Sequence, residues 1–182
     1  MTKQWIGRMA LACGVLLLGA GAAGAQTPVT LPDTSQTTTF NANVSEQATV
    51  TVPATVTFTV SDVTQTTDSA AQAVTVTSIV LETATKQLKI SIQANAASFT
   101  PPAASTTWDA GDVSWNAGTW TDATGASGTL SDAAYNEIAT CDAGVAGCSV
   151  ADLVFTLAAK PGVTIAGTHS LVATWKFESI GA

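Results

Sequence analysis

The chain has 182 residues, a formal net charge of −7, and 10% charged against 46% hydrophobic residues. An acidic chain without a basic patch is a poor partner for nucleic acid or for an anionic membrane surface. The length suits one domain beyond an N-terminal leader, and is enough to bury a real core.

Lys3 and Arg8 flank the start of an apolar stretch, Met9 to Leu18. That stretch is shorter than the ~20 residues a membrane span needs. Ala23-Gly24-Ala25 is a small-x-small cleavage pattern. Residues 1–25 therefore read as an export signal, with the mature chain expected to begin at Gln26. Cys13 has Ala10 three residues before it, where lipidation would need a Leu-like residue. No later segment is apolar enough to insert into a membrane. The expected location is the periplasm, the cell surface or the medium.

Residues 26–37 carry Pro28, Pro32 and Asp33 and read as an extended leader, with 38–182 as a single domain. From Phe40 to Val60 the chain alternates: Phe40, Ala42, Val44, Ala48, Val50, Val52, Val56, Phe58 and Val60 share one parity, and Thr, Ser, Asn and Gln fill most of the other. A period of two places these side chains on opposite faces of a strand, one facing a core and one facing water. A single strand of twenty residues would be about 70 Å long, so the run must break. Glu46, a charge on the apolar face, and Pro53, which cannot donate to a ladder, are the break points. The expected strands are 38–44, 47–52 and 55–60.

Residues 62–72 read as a solvated loop. Between Ala73 and Leu81, Val74 and Val76 share one parity while Ile79 and Leu81 share the other. Such a slip predicts a β-bulge near Ser78 or a strand that changes sheets. Leu88, Ile90, Ile92 and Ala94 alternate cleanly. Val113 and Trp115 fit a short strand, and Tyr135 and Ile138 open another. Leu153, Phe155 and Leu157 form a strand before a Pro161-Gly162 turn. Leu171, Ala173, Trp175 and Phe177 form the last. Eight or nine short strands without an amphipathic helix predict an all-β, two-sheet antiparallel sandwich, Ig-like or jelly-roll-like.

Cys141 and Cys148 remain after export. A close pair in an oxidising compartment reads as a disulfide closing a short loop. Its spacing is not the Cys-x-x-Cys of redox sites.

The chemistry-bearing residues are few. His169 is the only histidine and reads as an ordinary residue at the start of a strand, since no Gly-x-Ser-x-Gly elbow accompanies it. Asp109, Asp112 and Asp122 cluster in the Trp-rich segment. They offer oxygen ligands for Ca²⁺, although not at EF-hand spacing. A glycoside hydrolase using Asp109, Asp112 or Glu137 is a remote alternative. Trp115 and Trp175 sit in alternating stretches and are the core candidates. Trp108 and Trp120 lie among Thr, Asp and Gly, and are expected to be exposed and to contact a glycan or another protein.

The order of these features resembles the small secreted β-sandwich proteins of bacterial surfaces. It runs from signal through Thr-rich alternating strands and loop disulfide to the closing strand Gly167-Thr-His-Ser-Leu-Val-Ala-Thr-Trp-Lys-Phe177. Those proteins include fimbrial and spore-coat-U-like subunits and Trp-x-Leu surface domains. The resemblance implies assembly, because fimbrial subunits complete a neighbour's sandwich with a donated N-terminal strand. Phe40, Ala42 and Val44 are the candidate donor residues; the alternative makes them the first strand of their own domain. The expected function is that of an exported, non-enzymatic structural or adhesive protein. Its expected partners are its own copies, other surface proteins or a glycan. A carbohydrate-binding module is the second expectation.

Overall fold

The computed structural model describes residues 28–181, so the expected signal lies outside the described residues. The chain divides into two compact units after Ala42. In the first unit, residues 28–42 carry no strand. The Asp33 carboxylate there accepts hydrogen bonds from the amide and hydroxyl of Ser35 and from Gln36. All described strands belong to the second unit.

That unit is all-β and antiparallel. β1 (Gln47–Thr51), β3 (Gln72–Val80) and β9 (Gly147–Leu153) form one sheet in the order β1-β3-β9. β2 (Thr67–Asp68), β10 (Phe155–Leu157), β5 (Val113–Trp115) and β7 (Gly128–Thr129) form a second in the order β2-β10-β5-β7. β11 (Ala173–Ile180), β4 (Gln87–Ala94), β8 (Asn136–Cys141) and β6 (Ala123–Gly125) form a third in the order β11-β4-β8-β6.

The first two sheets are pieces of one layer. β9 runs into β10 with only Val154 between them, and β2 leads into β3 beside them. The break is fully hydrogen-bonded. Asn116 accepts from the Val154 amide through its side chain and donates to the Val154 carbonyl through its own amide. Ser69 donates its amide to the Phe155 carbonyl, and its hydroxyl accepts from the Phe155 amide. The 153–157 strand expected from the sequence is thus two, because a buried break is stable only where such groups replace the ladder.

This layer and the third sheet share one core, giving a β-sandwich. Val74, Val76 and Leu153 from one side meet Ile90 and Ile138 from the other, all at or near full burial. Burying each such side chain contributes about 1.5–3 kcal/mol. The phase slip in β3 is a bulge. Ser78 takes a positive φ of 54°, and the pairing of β3 with β1 shifts between Gln47 and Thr49.

Two expected strands are not formed. Residues 38–44 make no ladder, and Phe40 and Val44 are 91% and 73% exposed. Residues 55–60 keep their alternation, with Val56, Phe58 and Val60 half-buried against the core, but form no ladder either. Alternation makes a strand only where a sheet edge accepts its hydrogen bonds. Glu46 therefore breaks no ladder, and β1 starts at the residue after it. Its carboxylate accepts from the Glu82 amide at 2.9 Å, Lys86 Nζ at 3.2 Å and Ser179 Oγ at 3.1 Å.

Candidate functional site

The disulfide joins Cys141, the last residue of β8, to Cys148 in β9, with Cα atoms 5.8 Å apart. It is therefore more than a loop staple, since it clasps the third sheet to the first. Both cysteines are buried.

Trp108 is not an exposed contact residue. It is 5% exposed, its indole N–H donates to the Ala158 carbonyl at 2.9 Å, and its ring meets His169 edge-on. The polar neighbours Thr107 and Asp109 suggested a loop tip, but both are engaged within the fold: Thr107 pairs with His169, and Asp109 with Lys160 and Ser98. Trp120 is half-buried; its N–H donates to the Ala117 carbonyl at 3.0 Å, and Gly125 lies beneath its ring. The expected pair of exposed tryptophans does not exist. Trp115 is in the core, as its alternating position indicates, with Phe155 at 6.2 Å. Trp175 is half-buried against the core.

The aspartates do not converge on a cation. Lys160 Nζ lies 2.7 Å from both Asp109 and Asp112 and supplies the positive charge there. Asp112 also accepts from the Asp109 amide across the short 3-10 turn Ala110–Asp112. The hydrogen bond from Lys160, followed by that from Ser98, holds the Asp109 carboxyl below its ordinary range. Asp122 sits at a positive-φ bend whose carbonyl accepts from the Asp142 amide. Among the described residues, no three His, Cys, Asp or Glu side chains are placed to share a metal. Glu137 is engaged by Thr140 and lies 3.7 Å from Lys89.

Sequence reading missed an open apolar cleft of about 850 Å³ in the second unit. One wall is the extended segment 53–60 and the other is the segment 163–173. Trp108, Phe155, Leu157 and Trp175 line it between those walls. The second wall is held by an antiparallel bridge between Thr100 and Ser170, and by the Asn95 amide donating to the Val172 carbonyl. His169 lies on this wall. Its Nε2–H donates to the Ile165 carbonyl at 3.1 Å, and its Nδ1 lies 2.8 Å from the Thr107 hydroxyl. Both ring nitrogens thus help to position the wall. The signal for the cleft was present in the alternation of Val56, Phe58 and Val60 after Pro53. It identified an apolar face without showing that no strand would lie beside it.

No protein family, curated protein or solved structure matches the chain. Among the described residues no helix is long and apolar enough to cross a membrane.

Proposed function

We propose that this is an exported, non-enzymatic structural β-sandwich of the cell surface that assembles with other copies of itself. In this reading the segment Phe40–Val44 is the element given to a neighbour. The observation that carries it is the exposure of that segment. Phe40, Ala42 and Val44 alternate with polar residues, as a sheet strand does, yet they lie outside every ladder and Phe40 is 91% exposed. Apolar side chains exposed at successive alternating positions, here Phe40, Ala42 and Val44, suit addition of the segment to another sheet. The apolar cleft is a receptor of the matching kind, since one of its walls is extended chain without a ladder. The disulfide fits an oxidising compartment.

The experiment compares the mature chain, residues 26–182, with the same chain lacking residues 26–45 and with F40D, by light scattering and negative-stain imaging. Polymers from the mature chain that disappear in both variants are the expected result. Monomers in all three would overturn the proposal. Unchanged polymers in F40D would assign assembly to another surface.

A further inference from the structure

A second, independent contact surface lies on the far strand of the third sheet. We propose that the free edge of β11 pairs antiparallel with β11 of a second copy, centred on Phe177.

β11 is the outermost strand of its sheet, and all eight of its residues pair with β4 on one side only. Among the described residues no strand pairs with its other side, and an edge of that kind is a template for another strand. Proteins usually guard such an edge with Pro, a bulge or an outward charge. β11 has no Pro, and its register with β4 runs without a slip from Ala173 to Ile180. Its two charges do not guard it. Lys176 Nζ is 2.9 Å from Glu178, and it lies 5.6 Å from the centre of the Tyr135 ring, folded back over its own sheet.

The same two charges select the partner and the register. Directly opposed residues in an antiparallel ladder lie on the same face, so a two-fold pair must be centred on a residue and not between residues. Centring on Lys176 sets lysine against lysine, and centring on Glu178 sets glutamate against glutamate. Centring on Phe177 sets Lys176 against Glu178 of the partner subunit and Glu178 against Lys176 of the partner subunit. Opposite charges placed directly across a ladder stabilise it and like charges destabilise it. The contact is isologous and closes after two copies. It therefore differs from the open-ended contact through Phe40. Within β11 only Ala173 and Trp175 reach the cleft, so the centre of the pairing lies beyond it.

The test uses the mature chain carrying F40D, which silences the other contact, in sedimentation velocity at rising concentration. A dimer is expected. K176E alone and E178K alone should each weaken it about tenfold, from two like-charge contacts per dimer. An equal mixture of K176E and E178K should recover the dimer, because both cross-strand pairs are then again opposite in sign. A monomer at every concentration, a dimer insensitive to both reversals, or a mixture that fails to recover would each overturn the proposal. None of these outcomes bears on the polymer formed through Phe40.

Discussion

The imidazole of His169 meets the indole of Trp108 edge-on, with ring centroids 5.2 Å apart and planes at 86°. The only histidine, half-buried, and a buried tryptophan from a polar stretch thus form one joint at the cleft, with both polar ends hydrogen-bonded. The arrangement positions a wall of the cleft.

That joint makes Trp108 a core residue. W108A should cost about 3–5 kcal/mol, the range for truncating a buried aromatic. Denaturant unfolding of residues 26–182 measures it. A loss below about 1 kcal/mol would mean that the ring is held loosely and that the cleft is wider than described.

The disulfide closes a loop of about eight residues, for which chain entropy gives about 2.5 kcal/mol. C141A/C148A should lower stability by at least that amount, because both positions are buried between layers. The denaturation midpoint of the double variant, compared with that of the oxidised protein, decides it. An unchanged midpoint would remove the clasp from the account of stability.

Acid should unfold the protein through its held carboxylates. Asp109 is kept below its ordinary value of 3.8 by Lys160 first and Ser98 second. Glu46 is kept below 4.5, chiefly by the Glu82 amide and then by Lys86. With the folded pKa depressed, the unfolded chain takes up protons first. The stabilisation is therefore present above the ordinary carboxylate values and is lost as pH falls from them through the depressed folded values. Thermal melting should hold steady down to about pH 5 and then decline. D109N and E46Q should melt lower at neutral pH and show a shallower acid decline. Profiles that merely shift in parallel with the parent would count against these two groups.

Gly128 lies against a rigid ring. A Cβ built there would stand 2.5 Å from Cζ2 of Trp115. G128A should cost about 1–3 kcal/mol through overpacking. G111A, with nothing within 4 Å of the added carbon, should be close to neutral. Equal melting temperatures for the two variants would show that the Trp115 ring can give way.

Several elements were legible in the sequence because a local rule governs each. The parity slip after Val76 is a bulge at Ser78, since an extra residue must reverse the facing of every later side chain. Leu88–Ala94 is a strand because its alternation fits a central ladder. The cysteine pair is a disulfide, as its spacing in the chain indicated. Composition and alternation were enough for an all-β sandwich.

Tertiary structure decided the rest, because those properties depend on what lies alongside. Phe58 and Phe40 carry the same alternating signal, yet Phe58 packs on the core while Phe40 is exposed. Alternation specifies a face and says nothing of whether an edge is there to meet it. Trp108 has polar neighbours in sequence, but Ala158 and His169, both distant along the chain, bury it. Asp109 and Asp112 look like cation ligands until Lys160, about fifty residues away, is placed between them. The alternating, charge-poor sequence by itself determined the all-β class and which residues share an apolar face, because side-chain facing is a local property of the backbone. Only the fold decided which faces are covered, where the cleft opens and which edge is left free, because coverage depends on contacts between residues far apart in the chain.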